Sequence, residues 1–539
     1  MHQLFVESIE WSRVNVTLRG RIERTGSPSA PDAPQIGCLF LFNPRTDEQA
    51  VLTSPEWAGD RFAVRFNAMQ VFDQYPLPIG DWCLYYAAPD HEPVAVHIDA
   101  GLAIEAAGYG GLFSAATYRY WVLPANVIGT DEFCLAINYR PVGKADAERP
   151  KPKPSVKRSI RAIRNAAYIA TYEICRRLVR KNGRRILFTS DSRPELSGNL
   201  QHIHERMLER GLDKDYKLYT AFKPSIRARR PLHEKVLFPY YLAVADVILL
   251  DDFHPMLYKV DFAKDVTIIQ VWHASGAFKT VGYSRIGKPG GPSPFSDAHK
   301  NYTYALVSSE HDVPFYAEAF GLPDERVIPT GIPRMDLFFD EKYMAATREL
   351  VYEAVPITRG RKVILFAPTF RGRGPSNAYY DYEQLDLPAL YQLCEELDAV
   401  CVFKMHPFVI QALEIPEEFS DRFIDATTSR EINDFLFVAD LVVTDYSSLV
   451  FEYSTLNRPM IFFAYDLDEY ISSRDFYEDF VDFVPGKIVR TFDELLEAIR
   501  SGDLEWEKVA PFARTHLGHL DAGSTDRVID QLVIGTEQP

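Results

Sequence analysis

The change of rhythm at residue 186 constrains this chain more than any other feature. Beyond it, short continuous apolar runs alternate with helical patterns. The first series is ILFTS (186–190), YKLYTAF (216–222), VILLDD (247–252), VTIIQVWH (266–273) and YALVSSE (304–310). The second is KVILFAPTF (362–370), AVCVFKMHP (399–407), LVVTD (441–445) and PMIFFAYD (459–466). Helical stretches such as LPALYQLCEEL and SREINDFLFVAD lie between them. Strands that read apolar without alternation are buried on both faces, and strands alternating with helices build parallel sheets. The break from Asp340 to Arg361 therefore predicts two Rossmann-like doubly wound α/β domains, 186–345 and 346–539. Residues 1–148 differ. Segments such as SRVNVTLRGRIE, GCLFLFN and DRFAVRFNAM alternate with period two between Gly, Pro and Asp clusters, which predicts an all-β accessory domain, a sandwich. Nothing in it groups into a catalytic constellation.

Between these parts, residues 149–185 form a basic linker and a helix. The proline–lysine alternation of AERPKPKPSVK cannot hold a helix. From Lys151 to Arg185 there are twelve basic residues against Glu173 alone, a local charge of +11 in a chain of −16, so the other 504 residues carry −27. Ile160, Ile163, Ala167, Ala170, Ile174 and Leu178 recur at helical spacing, flanked by Lys157, Arg158, Arg161, Arg164, Arg176, Arg177 and Arg180. Such a helix over 157–181 suits an anionic membrane surface; the alternative is an interdomain strut whose stripe packs on its neighbour. The acidic whole, with a pI of about 5.4, disfavours nucleic acid. Six scattered cysteines without a C-x-x-C pair argue against a disulfide scaffold or cysteine-rich zinc site. The first residues lack the apolar core of a signal peptide, and no uncharged run reaches transmembrane length.

In open α/β sheets, ligands bind beyond the carboxyl ends of the strands. Those ends are polar here: Asp251-Asp252, Trp272-His273, Pro368-Thr369-Phe370-Arg371, Lys404-Met405-His406-Pro407 and Thr444-Asp445-Tyr446-Ser447-Ser448. Ser447 and Ser448 open a helical run and suit a phosphate, although plain N-capping would also place serine there. Glu452 lies four residues beyond Ser448 and suits a ribose, or else is a solvated helix glutamate. His273 enters the loop ASGAFKTVG, which contains Ser275 and Gly276, and with His406 offers a base near neutral pH. Lys279, Arg334, Arg371 and Lys404 are candidates to neutralise phosphate charge. Asp251-Asp252 is a weak metal candidate, because adjacent strand residues point to opposite faces. No structural metal is predicted; no cofactor is called for, and a catalytic divalent cation is left open. His202, His204, His299 and His519 lack a strand-end position and read as structural. The chain has no Walker loop, G-x-G-x-x-G, H-E-x-x-H or G-x-S-x-G.

These motifs, in this order, resemble one family. Gln270–Lys279 (QVWHASGAFK), Gly331–Asp336 (GIPRMD), Phe366–Arg371 (FAPTFR), Lys404–Pro407 (KMHP), Thr444–Ser448 (TDYSS), Arg458-Pro459 and Tyr465–Tyr470 (YDLDEY) are similar to those of the CDP-glycerol:poly(glycerophosphate) glycerophosphotransferases, the teichoic acid primases and polymerases. The resemblance spans roughly Arg185 to Val484 and does not reach the β-domain. It implies a glycosyltransferase-B-like pair of domains, acceptor side first and nucleotide side second. It implies transfer of glycerol phosphate from CDP-glycerol to a hydroxyl of a membrane-anchored glycolipid or growing polymer, releasing CMP, at the inner face of the cell membrane. CDP-ribitol is the alternative donor. By this resemblance His273 is the base, His406 a second required histidine, and Ser447 and Ser448 the phosphate-binding serines, with Thr369, Thr444 and Asp445 in the same motifs. The competing readings are a sugar transferase of the same fold and an inactive wall-polymer-binding protein.

Overall fold

The computed structural model describes residues 2–535 apart from 25–36, 53–54, 90, 109–110, 116–117, 142–155, 289–290 and 373–376, so the proline–lysine linker lies outside the described residues. The β-rich part is one hydrogen-bonded network of eleven strands. Val94–Ile98 joins its two layers, pairing parallel with His2–Ser12 and antiparallel with Gly80–Ala87. Inward residues of both layers, among them Leu18, Val64, Trp82, Tyr120 and Leu135, share a single core. Tyr283 and Ile286 of the next domain enter that core, and Arg13 donates to buried Glu318 at 2.7 Å. The β-domain is thereby fixed to the first Rossmann-like domain.

Two six-stranded parallel sheets follow. The first has the order Lys217–Phe222, Arg185–Ser190, Val247–Leu250, Thr267–Gln270, Tyr304–Leu306, Val327–Ile328. The second has the order Phe423–Asp425, Ala399–Phe403, Lys362–Phe366, Leu441–Thr444, Met460–Phe463, Lys487–Val489. Arg185–Ser190 and Lys217–Phe222 end with their apolar runs, but the other strands end earlier, because the last residues of the run leave the sheet: 247–252 yields Val247–Leu250, and 266–273 yields Thr267–Gln270. The edge strands Val327–Ile328, Phe423–Asp425 and Lys487–Val489 span only two or three residues and carry no apolar run long enough to announce them.

Residues 346–539 do not all stay on the second sheet, as the expected boundary would have it. Ser524–Val528 and the turn after it return to the first, where Val528, Ile529 and Val533 pack with Ile186, Leu249 and Val271. Arg206 and Arg210 hold this return through Asp526 (2.9 and 3.0 Å), and Arg210 also reaches Asp530 (2.6 Å).

The basic helix forms over Val156–Leu178. Its docking face is not the aliphatic stripe. Tyr168 and Tyr172 are buried, and their hydroxyls donate to the carbonyls of Met256 and Asp261 at 3.0 Å each. Ile163, Ile174 and Leu178 are 67%, 56% and 78% exposed, which removes the strut reading of that stripe. The side chains of Lys157, Arg158, Ile160 and Arg161 lie outside the described residues. Among the described residues no helix is long and apolar enough to cross a membrane.

Candidate active site

The second sheet reverses its strand order between Lys362–Phe366 and Leu441–Thr444, and ligands favour such a switch point. A cavity of about 410 Å³ opens there. Ala367–Thr369 follow one strand, Lys404–Pro407 the next, and Ser447–Leu449 the strand beyond the reversal; all line it. Of the residues chosen from sequence, Arg334, Thr369, Lys404, His406, Ser447, Ser448 and Glu452 line this cavity together. Thr428, Ser429 and Arg430 line it too, and the sequence did not reveal them. They follow the three-residue strand Phe423–Asp425, so their strand-end position was hidden; Arg430 pairs with Asp434 at 2.8 Å.

The two histidines hold opposite tautomers. His273 is exposed, and its Nδ1 lies 3.2 Å from the carbonyl of Asp251. A carbonyl only accepts, so the proton sits on Nδ1 and the neutral ring offers a lone pair at Nε2. His406 is the converse: the backbone N–H of Phe408 donates to its Nδ1 at 3.1 Å, so the neutral ring carries its proton on Nε2. Burial, and then the Lys279 charge, push the His406 pKa below the ordinary histidine value, which keeps that ring neutral at pH 7. The Trp272 and His273 rings pack at a tilt of 32° with centroids 4.3 Å apart, and Trp272 adopts φ 48°, a conformation an aromatic residue seldom takes; Asn199 donates to its carbonyl at 2.8 Å.

One cluster joins the two domains at the cavity wall. Ser275 donates to Glu452 Oε1 at 2.8 Å, and Arg334 Nη2 reaches both Ser275 Oγ (3.0 Å) and the same carboxylate oxygen. Glu452 is 2% exposed, so it is not a solvated helix glutamate; Oε1 is engaged, and Oε2 is buried without a partner. Arg334 is drawn into this pair rather than standing as an isolated cation. Gly276 allows the approach: a Cβ there would lie 2.3 Å from the Phe451 ring of the second domain.

Several cations expected to meet phosphate are committed elsewhere. Arg371 is buried, donating to Asp466 (2.6 and 2.8 Å), Asp445 (2.9 Å) and the Thr369 carbonyl (2.8 Å), and it lies within a cage of tyrosine rings. Asp445 in turn accepts from the Thr369 N–H (2.8 Å) and hydroxyl (2.9 Å), and Thr444 donates to the Ala367 carbonyl (2.7 Å). Arg371, Thr444 and Asp445 therefore shape the loops rather than line the cavity. Lys404 reaches it, yet its Nζ donates among four carbonyls, Ala426, Thr427, Ser429 and Arg430, at 2.6–3.1 Å. Its ammonium folds the 426–430 loop over the cavity. Lys279 lies over the Tyr470 ring at 5.3 Å. Asp251 pairs with Arg193, and Asp252 accepts from the Ser192 hydroxyl at 2.6 Å, so these carboxylates make no shared metal site. The Ser448 hydroxyl makes no cap bond and Ser447 accepts only a long one, from Leu449 N–H at 3.4 Å, which leaves both hydroxyls for a ligand.

Two facing doubly wound sheets, with a polar cleft at the switch point of the second, define the glycosyltransferase-B-like class. Residues 170–534 match the family described as CDP-Glycerol:Poly(glycerophosphate) glycerophosphotransferase, and the chain belongs to it. It is 50% identical to the teichoic acid ribitol-phosphate polymerase TarK of Staphylococcus aureus over 369 residues, 68% of this chain and 72% of the relative. It is 44% identical to the teichoic acid poly(ribitol-phosphate) polymerase of Bacillus spizizenii over 501 residues, 90% and 79% of the two chains. The teichoic acid glycerol-phosphate primase of Bacillus subtilis is 26% identical over 57% of this chain and 77% of the primase. The solved structure of the wall teichoic acid polymerase TagF shares the fold, with a TM-score of 0.55 at 20% identity over 69% of this chain and 95% of that one.

Proposed function

We propose that the chain transfers ribitol phosphate from CDP-ribitol to a terminal hydroxyl of a growing, lipid-linked teichoic-acid-type polymer and releases CMP. The observation that carries this reading is the polar cavity at the switch point, with His406 in its wall and His273 two residues from Ser275 of the interdomain cluster. The acceptor oxygen forms a bond to the donor phosphorus that bears the polyol. The bond from that phosphorus to the oxygen bridging to CMP breaks, and CMP leaves with the electron pair. The hydroxyl proton passes to His273 Nε2, the free lone pair of its tautomer. His406 Nε2–H donates to a phosphoryl oxygen, where negative charge grows in the transition state. The hydroxyls of Ser447, Ser448 and Ser429 and the side chain of Arg430 hold the pyrophosphate.

Ribitol replaces the glycerol of the first reading because the ribitol-phosphate polymerases stand at 44–50% identity and the glycerol-phosphate primase at 26%. The deciding experiment gives the protein CDP-ribitol or CDP-glycerol with a soluble analogue of the lipid-linked acceptor and measures CMP release. Faster release from CDP-ribitol supports the reading; faster release from CDP-glycerol overturns the donor, and turnover of nucleotide sugars alone overturns the reaction.

The basic helix supplies the second half of the reading, attachment to an anionic membrane surface. Ile163, Ile174 and Leu178 stand out from the protein beside exposed Arg164, Arg177 and Arg180, while the tyrosine face anchors the helix to the first Rossmann-like domain. An exposed aliphatic stripe flanked by arginine fits lipid headgroups and acyl chains together.

A further inference from the structure

Away from the cavity, three side chains converge at the junction of the two sheet domains. His311 lies in the turn Glu310–Asp312, just after the first-sheet strand Tyr304–Leu306. Glu478 precedes the helix Phe480–Phe483, and His516 lies in the helix Val509–Leu517. One ligand-capable atom from each falls within 4.8 Å of the others. His311 Nε2 is 3.0 Å from Glu478 Oε2, and the two imidazole centroids are 4.7 Å apart.

We propose that His311, Glu478 and His516 bind one divalent transition-metal cation, Zn²⁺ by the chemistry of the donor set, and that this cation ties the two sheet domains together. A simple His–Glu ion pair would explain two of the residues but not the third. His516 is buried, and its Nδ1 meets no hydrogen-bond partner. Buried imidazole nitrogens ordinarily find a partner, and this one has none among the described residues. Two imidazoles and a carboxylate are a borderline-soft N₂O set suited to Zn²⁺, with water completing a tetrahedron. The surroundings favour it. Phe512, Phe483 and Phe451 pack around the His516 ring at 4.4, 5.0 and 6.1 Å and form an apolar shell. Such a shell orients the His516 ring, while His311 and Glu478 stay partly open to the water that would complete the set.

The cation would act on the catalytic loop through its neighbours. Asp312 accepts from the Ala277 N–H at 3.3 Å, and the Tyr316 hydroxyl donates to the Gly276 carbonyl at 3.0 Å. Holding His311 against Glu478 and His516 therefore braces the segment that supports Ser275 and Gly276. None of the three ligands lines the active-site cavity, so the metal has a positioning role and takes no part in the phosphoryl transfer.

The test uses the full-length protein, stripped with EDTA and titrated with Zn²⁺ by calorimetry. One saturable site per chain and a raised Tm are expected, with affinity reduced at least about tenfold in His311→Ala and in His516→Ala. No saturable binding, or equal affinity in the His311→Ala/His516→Ala double variant, overturns the proposal. Co²⁺ added to the unaltered protein decides the matter even if the variants unfold. Visible bands of four-coordinate cobalt at one equivalent support the site. A pale six-coordinate spectrum, or a thiolate charge-transfer band from a cysteine site, overturns it.

Discussion

Replacing His273 by alanine tests the proposed base and is expected to separate chemistry from binding. The ring is exposed, so its removal opens no cavity in the core. Two contacts are lost: the 3.2 Å hydrogen bond to the Asp251 carbonyl and the tilted ring contact with Trp272, centroids 4.3 Å apart. A hydrogen bond of this kind is worth about 0.5–1.5 kcal/mol, and the freed carbonyl can turn to water, so the folded state should survive. The catalytic loss is larger. A positioned general base contributes about 10²–10⁴-fold, or about 2.7–5.4 kcal/mol of the barrier at 1.36 kcal/mol per decade. The cavity proposed for the donor, formed around the second sheet, is not lined by His273. The variant should therefore release CMP 10²–10⁴ times more slowly at saturating donor, as judged by the range for general bases. Its CDP-ribitol affinity by calorimetry should stay close to that of the unaltered protein. Near-normal turnover would refute the base assignment. An equal loss in donor affinity would refute it as well, because His273 would then be a binding group.

Three other outcomes are expected. Ser447→Ala combined with Ser448→Ala should weaken donor binding by about 1–3 kcal/mol while the backbone N–H groups keep part of it; unchanged affinity in calorimetry would reduce these serines to residues of the turn. Arg164→Glu, Arg177→Glu and Arg180→Glu together should abolish sedimentation with phosphatidylglycerol vesicles and spare turnover of a soluble acceptor. Raised salt should weaken the unaltered protein's attachment in the same assay, because the Debye length is only about 8–10 Å at 0.1–0.15 M; no low-salt binding to begin with would end the membrane reading. Burial, opposed by Asp252, pushes the His299 pKa down to about 4, against about 6.5 for an unfolded chain, so the unfolded state takes up the proton first as pH falls. Its contribution to stability is present above about pH 6.5 and is lost toward about pH 4, with about 2 kcal/mol gone between pH 7 and pH 5. His299→Asn, which tolerates the local φ of 61°, should flatten the urea-midpoint slope over that interval, and parallel slopes would count against the buried neutral ring.

The sheets were legible because a strand covered on both faces must be apolar throughout, and ILFTS, VILLDD and KVILFAPTF carry that mark whatever surrounds them. Part of the candidate site was legible for a related reason. Where an apolar run stops, its polar residues must stand at the sheet edge, and His406, Ser447 and Ser448 do. Direction was not legible. Sequence gives Lys404 and Arg371 as cations at strand ends, but tertiary contacts decide which way each turns: one into four carbonyls, the other between two aspartates. On the basic helix, two faces competed for the protein. Tyr168 and Tyr172 prevailed over the aliphatic stripe, because each buries a large ring while its hydroxyl reaches a backbone carbonyl, which a leucine or isoleucine cannot do. These diversions change the electrostatics expected of the cleft. With Lys404 and Arg371 committed, Arg334 paired to Glu452 and Arg430 paired to Asp434, the proposed reading has the pyrophosphate met chiefly by hydroxyls and the His406 Nε2–H. Neutral donors aimed at developing charge need no reorganisation as the bond breaks, and they hold departing CMP less tightly than an array of bare cations would.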